Sequence, residues 1–422
     1  MKEKLKSLTA VFYTPILIYF IFFVIISLVA IASATPLARV QYTGNFVLRQ
    51  IIFFGAGIVV AFFVMLFELK RLRYLRWILY GLCFILLLVI FIVGETYPSC
   101  VSMGLIPCIN GATRWINLPG FQIQPSEFMR IALILVVADV IQKHNEKFLH
   151  ESRTFKSDLW LIIKAFLVIL APTALIYTQP DTGITILVFI TTIIMLITAG
   201  IKWTYILGAG AIAAVITVTF LSLIINEPEV LFNVRLFDRQ IFFPHQFNRI
   251  YGWIDPFQSI SGIGRQLSYG LMAMASGGIF GNGFQSFTLF FPEPHTDFIF
   301  AVIGMDFGMI GSMVVIGVSL LFNFSILNIA ILNRDHYNGH VCVGIFASLM
   351  TQQFWNIGMT LGILPITGVT LPFISHGGSS VLASMVMLGL VLSSHVEGLT
   401  IKRNTTVYRE GVSYLEEKEL TV

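Results

Sequence analysis

The run SGGIFGNG at residues 276–283 lies inside a polar stretch, residues 242–297, that long apolar segments flank on both sides. Charged or titratable side chains of this stretch include Arg249, Asp255, Arg265, Glu293, His295 and Asp297. A polar loop of this length between membrane spans is costly unless it lines water or has a function. We therefore interpret it as the working surface of a membrane enzyme and the rest of the chain as its scaffold.

The composition indicates an integral membrane protein. Of the 422 residues, 56% are hydrophobic and 11% are charged, and the mean hydropathy is +0.85. Soluble domains carry roughly 25% charged residues, and apolar runs long enough to cross a bilayer recur along this chain. The net charge of +4 is small and lies in short clusters, so nucleic acid is a poor candidate partner. We predict an all-α membrane fold.

Ten apolar segments predict ten transmembrane helices. They lie near residues 12–34, 48–68, 77–94, 127–142, 159–178, 184–200, 203–225, 298–330, 341–361 and 379–396. The fourth is short for a span of roughly 20 residues, so we expect it to begin within the preceding loop. Residues 1–400 are predicted to form one membrane domain, and residues 401–422 a polar, partly disordered tail.

The basic residues predict the orientation of these spans. If there are ten spans, the basic clusters before the first span, after the last span and in every second loop between spans all fall on one side of the membrane. The positive-inside rule makes that side cytoplasmic, with both termini in the cytoplasm. Residues 95–126, 179–183, 226–297 and 362–378 are then extracytoplasmic, and the large loop joins the seventh and eighth spans.

Charged residues near the fourth span allow a structural or a functional interpretation. Trp115 is typical of a membrane-interface anchor, and Arg114 beside it could contact lipid headgroups. Glu127 and Arg130 are three residues apart, so they share a helix face and could pair. Charges at that depth usually face a cavity. Ser126 is a candidate helix cap.

Three further polar segments have similar alternatives. Asp181, in QPDTG, suits a tight turn. Glu293 and Asp297, in PEPHTDF, suit a solvated helix cap, and nothing around His295 completes a metal site. The stretch at residues 358–378, which contains Ser375, is rich in Gly, Pro and Ser, so it is interpreted as a broken segment buried in protein or lining a cavity.

In order along the chain, the runs GATRWI, QPSEFMR, QPDTG, GGIFGNG, PEPHTDFIF and NIGMTLGILPITGVTLPFISHGGSS resemble the SEDS family (shape, elongation, division and sporulation), which includes RodA and FtsW. The run GILPITGVTLPF resembles RodA more than FtsW. The family has ten spans, as predicted here. The resemblance implies a bacterial cytoplasmic-membrane enzyme that polymerises lipid II into glycan on the outer face and releases undecaprenyl diphosphate. It also implies a class B penicillin-binding protein as partner, beside membrane lipid.

The implied chemistry assigns roles to residues. A carboxylate base would take the proton of the sugar hydroxyl that attacks, and direct displacement would invert the anomeric centre. Arginine, lysine or a divalent cation (Mg²⁺ or Mn²⁺) would stabilise the leaving diphosphate. We assign the base to Asp255. The predicted substrate-binding residues are Arg114, Trp115, Glu127, Arg130, Asp181, Arg249, Arg265, Glu293, Asp297 and Ser375.

The large loop departs from the family pattern. Family members carry an essential aspartate in a second Asp-Pro pair, where this chain has Ser259-Ile260, and Arg265 replaces an aromatic residue before Gln266. Asp255 could take the catalytic role, or the base could be missing, which would leave a weak enzyme or a scaffold that activates its partner. A flippase of lipid-linked precursors is the other alternative. Cys100 and Cys108 could form a disulfide on the oxidising side.

Overall fold

The computed structural model of the protein consists mainly of long helices. It describes residues 15–38, 44–96, 104–109, 112–118, 121–149, 151–226, 235–236, 239–240, 244–258, 260, 262–286, 289–333 and 335–419. The helices are α1 (Pro15–Ala38), α2 (Phe46–Leu66), α3 (Leu69–Thr96), α4 (Pro125–Lys147), α5 (Phe155–Thr178), α6 (Thr182–Thr198), α7 (Trp203–Asn226), α8 (Pro244–Ile254), α9 (Arg265–Ser276), α10 (Ile299–Leu332), α11 (His336–Thr360) and α12 (Gly378–Glu419).

Three short antiparallel hairpins lie outside the bundle. Their strands are β1 (Cys108–Ile109), β2 (Ala112–Thr113), β3 (Ile116–Leu118), β4 (Phe121–Ile123), β5 (Arg235–Leu236) and β6 (Arg239–Gln240). In the pair β3–β4, Ile116 lies opposite Ile123 and Leu118 opposite Phe121. This hairpin leads directly into α4, so it fixes where that helix begins.

Each predicted span coincides with a helix of the structure. Among the described residues, six helices are long and apolar enough to cross a membrane: α1, α2, α3, α5, α10 and the first part of α12. The apolar helix α6 has 17 residues, which is near the lower limit for a span. The all-α membrane fold is thus confirmed, and the number of ten spans stays a prediction.

The bundle is organised around α4, whose side chains are buried on nearly all sides. From Met129 to Ala138 its residues are between 0% and 2% exposed, and α3, α5, α6 and α11 surround it. A helix that is buried all round can contain polar residues where the neighbouring helices supply partners. Elsewhere, α12 packs along α2, and α10 lies between α1 and α11.

Close contacts between helices rely on glycine. A Cβ atom on Gly389 of α12 would lie 2.7 Å from the carbonyl oxygen of Ala61 on α2. A Cβ atom on Gly344 of α11 would lie 2.6 Å from Ile134 on α4 and 2.8 Å from Met195 on α6. These approaches bring backbones together in the manner of small residues in membrane helix pairs.

The helix α10 is broken at Gly308, where φ is 65° and ψ is −158°. The glycine-rich run at 277–283 supplies the hydrogen bonds that the break removes. The amide groups of Met309 and Ile310 donate to the carbonyl oxygens of Gly278 and Ile279, at 2.9 and 3.2 Å. In return, the amides of residues 282 and 283 donate to the carbonyls of residues 305 and 306. The glycine-rich run therefore supplies hydrogen-bond partners for backbone groups that the break in α10 would otherwise leave unsatisfied.

A buried carboxylate reinforces this junction. Asp306 is 1% exposed and accepts hydrogen bonds from the hydroxyl of Ser33 on α1 and from the hydroxyl of Ser286, the latter at 2.9 Å. The backbone amide of Gln285 donates to the same carboxylate at 3.2 Å. The loop, α1 and α10 are thus joined at one point.

A basic cluster lies towards the end of the bundle opposite the start of α4. Asp139 is 2% exposed. Its carboxylate lies 2.6 Å from Arg73, 2.7 Å from Arg76 and 3.0 Å from Lys143. These cations come from two of the clusters that predict the cytoplasmic side.

Three expectations need correction or qualification. The structure extends α12 to Glu419, so residues 401–419 are helical where the polar composition predicts partial disorder. Ser126 is not the cap of α4; Gln124 is the N-cap residue and Pro125 begins the helix. Cys108 is in a disulfide, whereas Cys100, its predicted partner, lies outside the described residues.

Candidate active site

The predicted polar segments meet at the end of the bundle where α4, α6, α10 and α12 begin. The hydroxyl of Ser379, at the start of α12, accepts a hydrogen bond from the amide of Gln124 at 2.7 Å and donates to the carbonyl of Gln122 at 2.8 Å. The hydroxyl of Ser375 donates to the carbonyl of Thr296 at 2.6 Å. Segments far apart in sequence therefore share one polar surface.

Asp181 is the N-cap residue of α6 and receives bonds from two other segments. Its Oδ2 accepts from Gln124 Nε2 at 2.7 Å and from Ser126 Oγ at 3.1 Å. A guanidinium nitrogen of Arg114 lies 3.8 Å from Oδ1. The structure thus brings the predicted site residues Arg114 and Asp181 together, and Asp181 acts as more than the predicted turn residue.

Arg114 also contacts the other predicted residue of its hairpin. Its guanidinium carbon lies 5.1 Å from the centre of the Trp115 ring, within the range of a cation–π interaction. The Asp181 carboxylate and the Trp115 ring both contact the Arg114 guanidinium and restrict its orientation. The other N–H donors of this planar group therefore point in fixed directions.

Glu127 and Arg130 form the predicted pair inside α4. The carboxylate and guanidinium lie 2.8 Å apart, and the side chains are 5% and 1% exposed. Arg130 also donates to Gln352 Oε1 on α11 at 2.7 Å, and Gln352 donates to the carbonyl of Thr370 at 3.0 Å. The pair therefore connects α4 to α11 and to the segment between α11 and α12.

That segment, residues 361–377, is irregular, as the sequence predicts, and it is buried at residues 367, 369 and 371–375. The amide nitrogen of Asn356 donates to the carbonyls of Val369 and Asp297, each at 2.7 Å, and Trp253 Nε1 of α8 donates to the carbonyl of Gly362 at 2.8 Å. Side-chain donors thus replace the hydrogen bonds of a regular helix. The backbone of this segment, the start of α10 and the large loop are held as one unit.

Asp297, which directly precedes the N-cap residue Phe298 of α10, is buried rather than a solvated cap. Burial and the neighbouring Glu293 carboxylate raise the pKa of Asp297 to about 7, against smaller opposing effects of hydrogen bonds from Thr296 and Gln266. Thr296 Oγ1 lies 3.0 Å from Asp297 Oδ1, and Gln266 Nε2 lies 3.4 Å from Oδ2. A carboxyl group that titrates near neutrality in a polar site is a candidate acid or base.

Arg249 of α8 belongs to the same electrostatic environment. The residue is exposed, and its guanidinium interacts electrostatically with Arg114, Asp297 and Asp181. Desolvation lowers the pKa of Arg249, and repulsion from Arg114 lowers it further, whereas attraction to Asp297 and Asp181 raises it. Two arginines and two carboxylates therefore surround one region at the end of the bundle.

Two histidines lie beside this region. The rings of His295 and His376 are 5.7 Å apart, and each contacts Phe46 at the start of α2. The amide of His376 donates to the carbonyl of His295 at 2.8 Å. Burial lowers the pKa of His376 to about 3, so its ring is neutral at physiological pH.

Two predicted residues lie apart from this cluster. Asp255 is exposed after the end of α8, and its Oδ1 accepts a hydrogen bond from the backbone amide of Gln258 at 3.1 Å. Arg265 is exposed at the start of α9, 6.0 Å from the centre of the Phe290 ring. Ser259 lies outside the described residues. The assignment of the base to Asp255 stays a prediction.

Several residues that connect the site were missed in the sequence. Gln352, Asn356 and Gln124 supply amide groups that bind backbone or carboxylate oxygens of other segments. The signal that could have indicated Gln352 and Asn356 is the presence of amide side chains inside an apolar span, where they require internal partners.

The described residues do not form a metal site by themselves. Within them, no three His, Cys, Asp or Glu side chains lie close enough together to hold a metal ion. The ligand sets of divalent cations in proteins are built largely from carboxylates. A divalent cation bound here would need ligands beyond the described side chains, such as the oxygens of a phosphate group.

Comparison with known proteins shows which chains resemble this one. Stage V sporulation protein E of Bacillus subtilis (strain 168) is 32% identical over 356 residues, which cover 82% of this chain and 86% of that protein. The probable peptidoglycan glycosyltransferase FtsW of Wigglesworthia glossinidia brevipalpis is 29% identical over 412 residues, 94% of this chain and 97% of that one.

Solved structures share the fold. A chain from a study of polymerisation and crosslinking by a peptidoglycan synthase complex aligns with a TM-score of 0.69 and 25% identity, covering 90% of this chain and 96% of that one. The rod shape determining protein RodA of Thermus thermophilus aligns with a TM-score of 0.61 and 23% identity over 91% of this chain and 96% of that one. A family model described as cell cycle protein, FtsW/RodA/SpoVE, matches residues 13–398. The chain therefore belongs to the FtsW/RodA/SpoVE family, the SEDS family that its motifs resemble.

Proposed function

We propose that this protein is a peptidoglycan glycosyltransferase that joins the disaccharide units of lipid II into glycan strands. The observation that carries the proposal is the cluster of two arginines and two carboxylates at one end of the bundle, with Asp297 titrating near neutrality. The names of relatives that cover nearly the whole chain support the same activity.

The cluster suits this reaction. The C4 hydroxyl of one sugar attacks the anomeric carbon of the other, the bond from that carbon to the diphosphate oxygen breaks, and undecaprenyl diphosphate leaves. A carboxylate near the attacking hydroxyl takes its proton. In this proposal Arg114 and Arg249 stabilise the negative charge that develops on the diphosphate, and their shared electrostatic environment supports it. The displacement needs no covalent enzyme intermediate and inverts the anomeric centre.

The remaining residues hold these groups in position. Asp181 restrains Arg114, and the Glu127–Arg130 pair fixes α4 against α11. In this proposal Trp115 and Ser375 shape the site, and Arg265 and Asp255 act from the large loop once substrate is bound. A divalent cation stays a prediction; addition of Mn²⁺ after chelation tests it by the change in polymerisation rate.

The proposal places the site on the outer face of the bacterial cytoplasmic membrane, with both termini inside. The basic residues around Asp139 support this orientation because they lie towards the opposite end from the site. A class B penicillin-binding protein is the proposed partner, and the likeness to a chain studied in a peptidoglycan synthase complex supports a partnered enzyme. A role in cell elongation is the proposed assignment.

The experiment uses the full chain in lipid vesicles, alone and with its cognate class B penicillin-binding protein. Lipid II is supplied, and glycan length is measured together with lipid II translocation. We expect glycan from the wild type and at least about a hundredfold slower polymerisation in Arg114→Met, with partial recovery in Arg114→Lys. Translocation without glycan would favour a flippase, and a complex that binds its partner but makes no glycan would favour a scaffold.

A further inference from the structure

A small cavity lies between α4 and α6, beside the Glu127–Arg130 pair. The volume open to a water-sized sphere is about 10 Å³, roughly what one buried water molecule requires. Four residues of α4 and four of α6 line the cavity, and each is at most 3% exposed. Two of them, Ile134 and Met195, also pack against α11 at Gly344. Protein therefore surrounds the cavity, and only a very small occupant fits.

Arg130 lines this cavity and has one nitrogen without a partner among the described residues. Its two terminal nitrogens donate to Gln352 and to Glu127, at 2.7 and 2.8 Å. The third nitrogen, Nε, is buried and makes no hydrogen bond within the described part of the chain. A buried donor on a charged group is more costly to leave unsatisfied than a neutral one, and lipid tails supply no acceptor. A partner for this N–H group is therefore expected.

Thr191 of α6 contributes a second polar atom to the cavity lining. Its Oγ1 is buried and has no hydrogen-bond partner among the residues that the structure describes. The next residue, Thr192, lines the same cavity, but its hydroxyl donates to the carbonyl of Val188 at 2.9 Å. A threonine hydroxyl in a helix commonly makes such a bond to the preceding turn. Within the described helix α6, Thr191 makes no such bond, so its hydroxyl is available to an occupant of the cavity.

The two polar atoms restrict the chemistry of the occupant. The Arg130 Nε–H group can only donate, whereas the Thr191 hydroxyl can donate or accept. An apolar occupant would leave both groups unsatisfied, and a cation would be repelled by the guanidinium. An anion would be repelled by the Glu127 carboxylate, which already lies 2.8 Å from Arg130. A water molecule is neutral, fits the volume, and can accept from Nε while it bonds to the hydroxyl.

We propose that this cavity binds one water molecule, held between Arg130 Nε and Thr191 Oγ1. Buried waters make roughly two to four hydrogen bonds and are costly to remove, so these two groups suffice to hold one. The water gives each guanidinium nitrogen a partner. It also attaches α6 to a network that continues through Gln352 to the carbonyl of Thr370. The inference goes beyond the proposed function and does not depend on it.

The test is X-ray radiolysis of the full chain in detergent, followed by mass spectrometry. Radiolysis of water produces hydroxyl radicals, which oxidise methionine to its sulfoxide. Because the radical reacts close to where it forms, a buried methionine is oxidised fast only beside a bound water. Met195 lines the cavity and is 1% exposed, whereas Met387 on α12 is 0% exposed and is not part of the lining. We expect Met195 to be oxidised at least about tenfold faster than Met387.

Threonine variants supply the matched comparison. Thr191→Val removes the hydroxyl that holds the water and keeps the branched shape of the side chain, so it should reduce the oxidation rate of Met195 to that of Met387. Thr192→Val removes a hydroxyl from the same cavity that is already bonded to its own helix, so it should leave the Met195 rate unchanged. Thr191→Ser keeps the hydroxyl and should also preserve the rate.

Each outcome supports or overturns the proposal. Thermal unfolding identifies a variant that fails to fold, and the comparison of Met195 with Met387 in the wild type needs no variant. Equal, slow oxidation of these two methionines in the wild type would show a dry cavity. An unchanged Met195 rate in folded Thr191→Val, or an equal fall in Thr191→Val and Thr192→Val, would show that the Thr191 hydroxyl does not hold the water. Because the readout is oxidation, a protein that makes no glycan would refute the proposed function and leave this test intact.

Discussion

The buried ion pair of α4 allows a quantitative prediction. Arg130→Met keeps side-chain volume but removes the partner that lies 2.8 Å from Glu127, and both side chains are at most 5% exposed. Removing one member of such a pair leaves a buried charge uncompensated, which costs about 3–5 kcal/mol. With roughly 2.1 cal/mol/K of unfolding entropy per residue, a cooperative loss over the 422 residues corresponds to a fall of about 3–6 °C in Tm.

The assay is thermal unfolding of the purified protein in one detergent, for wild type, Glu127→Gln, Arg130→Met and the double variant. We expect each single change to be costly and the double to cost less than their sum by about 2 kcal/mol or more. Glu68 and Arg71 have the same order and spacing, lie 3.4 Å apart, and are 45% and 73% exposed. The same changes there should cost about 1 kcal/mol or less. Additive costs at 127 and 130, or equal costs in the two pairs, would refute the reasoning.

Two other predictions concern the junctions of the fold. Gly308→Ala should destabilise the protein by about 2–5 kcal/mol, because the backbone there is accessible only to glycine and the new Cβ atom would lie 2.4 Å from the amide nitrogen of Gly281. In the same helix, a Cβ atom at Gly317 would have no atom of the described residues within 4 Å. Gly317→Ala should therefore leave the stability in thermal unfolding unchanged or raise it. Asp181→Asn should preserve Tm but slow polymerisation through the loss of charge beside Arg114, whereas Asp181→Ala should also lower stability by about 1 kcal/mol; equal rates in wild type and Asp181→Asn would contradict this role.

Hydropathy was sufficient to predict the fold class and the position of the long helices. The reason is physical: a span must be apolar for about 20 residues, and that requirement is local in sequence. The Glu127–Arg130 pair was predictable for the same reason, since three residues along a helix return to one face. The helical continuation of α12 beyond residue 401 was not, because the polar composition there suggested disorder.

The arrangement of the site depends on contacts between distant segments. Asp181 could be recognised as a turn residue or cap, but its bonds to Gln124 and Ser126 require α4 and α6 to begin side by side. The raised pKa of Asp297 likewise follows from burial, which a stretch rich in polar residues does not reveal. The assignment of the base to Asp255 came from its Asp-Pro pair in the large loop, whereas the burial and the neighbouring charge of Asp297 are features that only the structure shows.

The closure of the helix break at Gly308 by main-chain atoms has a consequence for how movement passes through the protein. The part of α10 before Gly308 accepts two hydrogen bonds from the glycine run, the part after Gly308 donates two to it, and the helix begins just after Asp297. Beyond these hydrogen bonds, the part of α10 after Gly308 has exposed apolar side chains, among them Met313 and Val314. Because both parts of α10 are bonded to the same run, a change of the bend at Gly308 requires these hydrogen bonds to change as well.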